Sequence, residues 1–363
     1  MNFKIYQQLK KLYQANDFEK LLKDSNSLLF LKIRSIARKA LLMEFAEKIG
    51  IEPNQGTNNL IEEISNNPKT EKVIDNFIDS KFQDERKERR TYEDKLISEL
   101  YKLKIFDWGG LYQNNLERTI VDNYIKKIKN YDLLMDKVDN EIHESLKGYV
   151  LCSWFNHWTS ILIEDVFKGH KRVLPAIGLI KKVDFFVDQI PFDLKVTYFP
   201  DGFMALRRKE KGLKPELTAL KQIARENKIN FDSSQKNKFL LSELLTRLSE
   251  SHLEPVKKAI SSFHKIRWEI IEETMKNKKE LIRWLYEEQG ERRFDSANRL
   301  FLVLIDKNNL DESWKLKRNI DFLKESVSSY LDKFNINDNL KITFDWQDEK
   351  YTSISDALFI IKK

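Results

Sequence analysis

Two aspartates and a lysine carry the chemistry this chain could perform: Asp184, Asp193 and Lys195, in Lys181-Lys-Val-Asp-Phe-Phe-Val-Asp-Gln-Ile-Pro-Phe-Asp-Leu-Lys-Val-Thr197. Apolar and polar residues alternate on either side of Asp188-Gln189, which has the length of a two-residue hairpin loop. That loop pairs Val187 with Ile190, Phe185 with Phe192 and Val183 with Leu194, so one face is apolar. The other face holds Lys182, Asp184, Phe186, Pro191, Asp193, Lys195 and Thr197, which sets Asp184 opposite Asp193 with Lys195 one step along. Like charges across a strand pair are destabilising. A divalent cation held by both carboxylates compensates them, and Mg2+ suits because it takes one or two carboxylates while keeping waters and a phosphate oxygen. Lys195 can hold or deprotonate a water, or neutralise charge developing on phosphorus, without being a ligand. The combination suits phosphodiester hydrolysis.

In these residues the chain resembles the PD-(D/E)xK nuclease superfamily, the fold of many type II restriction endonucleases and of related repair and recombination nucleases. Asp184 matches the first acidic residue and Asp193-Leu-Lys195 the second motif, while Val183 stands where the family usually has proline. The family often adds a Glu on the helix before the first strand, and Glu164 in Ile161-Leu-Ile-Glu-Asp-Val-Phe167 is the best match. The motifs cover residues 148–197, and the order of elements extends the likeness to the C-terminus.

The resemblance implies an α/β restriction-endonuclease-like core with a mixed central sheet. It also implies Mg2+-dependent cleavage of double-stranded DNA, with Asp184, Asp193 and Glu164 on the metal and Lys195 positioning the attacking water. A chain with its own extra region looks most like a type II restriction endonuclease, usually a homodimer so that both strands are cut. Two other readings stand beside it. One is a repair, recombination or anti-phage defence nuclease that recognises DNA structure, and the other is a nuclease-like module that binds nucleic acid or protein without cutting.

The elements that must position these residues follow from composition and periodicity. The chain has 363 residues with only 10 Gly and 7 Pro, so long stretches lack helix breakers, and the length suggests two domains. Helical spacing predicts two or three helices up to Lys48, a loop at 52–59, a solvated charged run at Asp84–Arg90 and a break at Trp108-Gly109-Gly110. Residues 1–147 are thus expected as a mainly α-helical N-terminal domain for DNA recognition or dimerisation. Residues 148–363 are expected as the nuclease domain: a helix over 149–167, the hairpin, a helical insertion at about 238–290, a buried strand at Arg299–Ile305, a helix near 312–333 and closing strands.

Arg207, Arg208, Lys209, Lys211 and Lys214 read as a basic loop able to grip DNA phosphates. The 64 Lys+Arg and 57 Asp+Glu leave a net charge of +7, so any asymmetry useful for nucleic acid is local. A single cysteine, Cys152, excludes an internal disulfide and a Cys-rich zinc module. Apolar runs are too short for a membrane span, and the N-terminus carries no secretory pattern, so a cytoplasmic location is expected.

Overall fold

Residues 1–106, 120–178, 180–233, 237–288, 296–346 and 349–363 are described by the computed structural model. Helices occupy the first hundred residues: α1 (Phe3–Gln14), α2 (Phe18–Lys23), α3 (Ser27–Ser35), α4 (Lys39–Ile49), α5 (Thr57–Asn66), α6 (Thr70–Arg90) and α7 (Glu93–Leu100). Four helices, not two or three, lie before residue 50, because polar pairs break the pattern locally. Asn16 turns with φ 59°, the Asp17 side chain caps α2 by accepting from the Lys20 N–H, and Gly50 ends α4 with φ 82°. The charged run Asp84–Arg90 forms the end of α6. The break at 108–110 lies outside the described residues. After a π-helical turn at Val121–Ile125 come α8 (Tyr131–Lys137) and α9 (His143–Lys168), which begins one and a half turns earlier than the sequence suggests.

The sheet contains β1 (Val173–Pro175), β2 (Phe185–Val187), β3 (Ile190–Tyr198), β4 (Arg299–Asp306), β5 (Lys341–Trp346) and β6 (Glu349–Lys362), in the order β1-β2-β3-β4-β6-β5. Strands β1, β2 and β3 form an antiparallel meander, β3, β4 and β6 run parallel, and β5 returns antiparallel to β6. The hairpin register is the expected one, with Phe185 on Phe192, Phe186 on Pro191 and Val187 on Ile190. Both loop residues are left-handed, with φ 47° at Asp188 and 71° at Gln189, as a hairpin turn matching strand twist requires. The apolar run at Arg299–Asp306 is the central parallel strand, and its seven residues after Arg299 are buried.

Between β3 and β4 come α10 (Asp201–Glu210), α11 (Glu216–Glu226), α12 (Asn237–Ser249), α13 (Glu254–Lys276) and α14 (Lys278–Glu288). A 3-10 segment at Leu310–Arg318 and α15 (Ile320–Lys333) then lead to β5, where a single α-helix was expected from about residue 312. The architecture is α+β with a mixed sheet.

Helices cover both faces. On one, Phe155, Ile163 and Phe167 of α9 and Leu323 and Val327 of α15 bury Phe185, Val187, Phe192, Leu194 and Leu300. On the other face of β4 and β6, Ile270, Ile271, Leu281 and Leu285 of α13 and α14 pack on Phe301, Val303 and Ala357. The second face of the hairpin, read from sequence as polar, is covered by the N-terminal helices. There Val183 and Phe186 join Phe30, Phe45 and Phe77 in one cluster, so packing runs across residue 147. Each such side chain contributes roughly 1.5–3 kcal/mol on burial, which makes the N-terminal helices a large part of what holds the hairpin in place.

Candidate active site

The ladder of β2 and β3 shifts at Asp184. Its backbone N–H donates to Phe192 O at 2.8 Å, although Phe192 is already the partner of Phe185. Two residues of one strand therefore oppose one of the other, the pattern of a β-bulge. The inserted residue explains why Val183 packs with Phe186 and not with Phe185 and Val187. It also overturns the simple extrapolation that sets Asp184 directly opposite Asp193. The expected pairing of Leu194 with Val183 is lost as well, since the Leu194 N–H donates to Asp184 Oδ2 at 2.7 Å, while the Asp193 N–H faces β4 and donates to Asn298 O at 2.9 Å.

The bulge keeps the carboxylates as neighbours in a dry place. Burial, reinforced by the negative charges of Glu164 and Asp193, pushes the Asp184 carboxyl up to about 7, against the Leu194 N–H and Lys168, which act the other way. Glu164 thus belongs to the same electrostatic group as the two aspartates. It lies on α9, where its Oε2 accepts from Lys168 Nζ, one turn on, at 2.8 Å. The adjacent Asp165 has a different part: Arg89 of α6 grips it through Nε at 2.6 Å and Nη2 at 2.9 Å.

Asp193 is 4% exposed and sits between two cations. Lys195 Nζ lies 2.6 Å from Oδ1, and Arg299 Nε lies 3.3 Å from Oδ2. The Arg299 guanidinium is stacked 4.7 Å above the Tyr286 ring, and Tyr286 is itself fixed by hydroxyl contacts to Ala297 O at 2.7 Å and Ser355 Oγ at 2.6 Å. Lys195 is half exposed and Arg299 nearly buried, so one cation is free to reach outward while the other is held. Sequence reasoning named Asp184, Asp193, Lys195 and Glu164; in the structure Glu164 and Asp193 act electrostatically on Asp184, and Lys195 pairs with Asp193. It missed Lys168 and Arg299. Lys168 was readable from its spacing of four from Glu164, but Arg299 meets Asp193 only through the parallel pairing of β3 with β4.

The donor set is of hard carboxylate oxygens, the type that Mg2+ takes. Among the described residues no three His, Cys, Asp or Glu side chains form a ready-made metal cluster. Each carboxylate has a protein partner: Leu194 N–H for Asp184, Lys195 and Arg299 for Asp193, and Lys168 for Glu164. What favours a cation is the negative charge of Glu164 and Asp193 at Asp184, which the Leu194 N–H and Lys168 offset only in part.

The five basic residues beyond β3 are arranged differently from the expected loop. Arg207, Arg208 and Lys209 lie in α10, which runs to Glu210. Two of the five are ion-paired: Arg207 with Glu210 of α10 and Glu280 of α14, and Lys211 with Glu273 of α13. Lys214 Nζ donates to Gln222 Oε1 at 2.6 Å. Arg208 is buried, stacks with Arg267 on the Phe263 ring and donates from Nε to Lys214 O at 2.9 Å. Lys209 is exposed. Arg207, Arg208 and Lys211 thus take part in holding α10 to α13 and α14, while Lys209 and Lys214 do not.

No helix among the described residues is long and apolar enough to cross a membrane. No protein-family model, curated protein or solved structure matches this chain.

Proposed function

We propose that this protein is a Mg2+-dependent DNA endonuclease of the PD-(D/E)xK type, acting on double-stranded DNA as a type II restriction endonuclease and as a homodimer. The observation that carries the proposal is the environment of Asp184, a buried carboxyl raised to about 7 between Glu164 and Asp193, with Lys195 at hand. Strongly perturbed groups of this kind cluster at functional sites. The order of α9, an antiparallel β1–β3 meander, helices and a parallel β4 supports the restriction-endonuclease-like core.

Asp184, Asp193 and Glu164 would hold the ion, which supplies Lewis acidity toward a phosphate oxygen and makes a water a better nucleophile. Lys195, half exposed, swings from Asp193 Oδ1 to hold the attacking water or the phosphate charge. Arg299 keeps its hold on Oδ2 and so fixes the orientation of Asp193 as Lys195 leaves.

Plasmid digestion tests the reading. Discrete fragments with Mg2+, lost in EDTA and in Asp193→Ala, are expected. Smeared or junction-specific cutting favours a structure-specific nuclease, and DNA binding without cutting at any Mg2+ concentration overturns the proposal.

A further inference from the structure

A cavity of about 840 Å3 opens between the start of α14, the last turns of α15 and the β5–β6 side of the sheet. None of Glu164, Asp184, Asp193 and Lys195 lines it. Its volume falls within the roughly 300–1,000 Å3 of small-molecule sites and far exceeds what one phosphate group fills.

The floor is preformed. Asp356, buried on β6, accepts from Lys278 Nζ at 2.5 Å and the Ala357 N–H at 2.8 Å through Oδ1, and from the Tyr330 hydroxyl at 3.0 Å through Oδ2. That carboxylate is satisfied, so it acts as the anchor that fixes Tyr330 and Lys278. Beside it Ile282, Leu340 and Leu358 give an apolar wall. The rim is cationic. Once Lys278 and Asp356 cancel, Lys276, Lys279 and Lys333 remain against Glu325. Lys279 and Lys333 are exposed and form no ion pair among the described residues, whereas Lys276 lies in the field of Glu273. Lys279 also stands in the first turn of α14, where a cation opposes the helix dipole, and the next residue, Glu280, is taken by Arg207. A bound anion relieves both strains.

A ligand matching this lining has several negative charges and an apolar body. We propose that the cavity binds a nucleoside di- or triphosphate, its base on the apolar wall and its phosphates among Lys276, Lys279 and Lys333.

Isothermal titration of the full-length protein with ATP, GTP, CTP and UTP, and with adenosine and sodium tripolyphosphate as partial probes, tests the assignment. Saturable binding of at least one nucleotide is expected, tenfold or more tighter than tripolyphosphate or adenosine. Lys279→Glu with Lys333→Glu should weaken it at least tenfold without changing Tm, since both side chains are exposed, and Asp193→Ala should bind as the parent does. Absence of binding by all four nucleotides, equal affinity for tripolyphosphate, or indifference to the double substitution overturns the proposal. So does loss of binding in Asp193→Ala, which places the ligand at the carboxylates. A single-stranded oligodeoxynucleotide that binds through these lysines where no nucleotide does overturns it as well. The outcome is independent of whether the protein cuts DNA.

Discussion

Asp193 and Arg299 lie in register on neighbouring parallel strands, with Arg299 Nε 3.3 Å from Asp193 Oδ2, although 106 positions separate them in the chain. Asp193 thereby stands between two cations, whereas Asp184 stands between two carboxylates. Paired acids in environments this unlike are suited to different duties at one site.

The raised Asp184 carboxyl makes stability depend on pH with a definite sign. Its folded value, about 7, exceeds its ordinary 3.8, so between these values the folded protein binds more protons than the unfolded chain and loses stability as pH rises. Each pH unit of that gap is worth about 1.4 kcal/mol. In EDTA, Asp184→Asn is expected to match the parent below pH 4 and to be more stable by on the order of 2–4 kcal/mol at pH 8. Urea denaturation at pH 4, 6 and 8 measures this, and a difference that does not vary with pH refutes it. Under the proposed function, Mg2+ raises the Tm of the parent at pH 8 and leaves that of Asp184→Asn unchanged.

Arg299→Met removes the fixed cation at Asp193 Oδ2 and leaves Lys195 as the charge partner recorded on Oδ1. Lys195 is then pinned where it should be mobile, and cleavage is expected to fall about 100-fold, the scale for losing one positioned electrostatic group. Arg299→Lys retains the charge but loses the planar stack on Tyr286, and should recover only part of the rate. Equal rates in the parent and Arg299→Met count against any part for Arg299.

Lys317 is an amine sealed in the interior, with Nζ 2.9 Å from Asn156 Oδ1 and 5.3 Å from the Tyr198 ring centre. Burial lowers it to about 8 from 10.5, so the folded protein gains stability as pH rises from about 8 to 10.5 and bears the cost of the buried charge below. Lys317→Met, close in volume and uncharged, should therefore raise stability at pH 7 by about 1–3 kcal/mol, an effect that fades by pH 10.5. Thermal melts across that range decide, and destabilisation at pH 7 contradicts the account.

Arg208 and Lys209, adjacent in sequence, should part ways on substitution. Arg208→Ala breaks a buried contact to Lys214 O and leaves Glu216 with one fewer cation nearby, so a loss of roughly 2–4 kcal/mol is expected. Lys209→Ala should stay within about 0.5 kcal/mol, as exposed sites do. If DNA affinity is also followed, only an effect of Lys209→Ala at unchanged Tm speaks for phosphate contact.

How far the sequence reached depended on the range of the interaction involved. The hairpin was legible because loop length and alternation are local, and the three pairs nearest the turn came out as read, while the Val183–Leu194 and Asp184–Asp193 pairs did not. The bulge at Asp184 was not, since no residue there announces it and only the covering of both faces makes the shift favourable. The basic stretch after β3 read as a loop, yet Pro200 already starts a helix that acids on α13 and α14 stabilise. Arg299 was invisible at its boundary with an apolar strand, because its partner is chosen by strand order, which no local pattern encodes. The apolar run of β4 was the opposite case, since a strand buried on both faces declares itself by composition alone.

The distance in chain between Asp193 and Arg299 bears on the order in which the molecule is made. Synthesis proceeds from the N-terminus, so α1–α6 can cover one side of the acidic hairpin while β4 has yet to be translated. For those 106 residues of elongation Asp193 lacks the partner that will fix its second oxygen. A nascent chain thus carries the carboxylates together with Lys168 and Lys195 before the one cation that fixes Asp193 Oδ2, and a chain cut short before Arg299 holds Asp193 through Oδ1 alone.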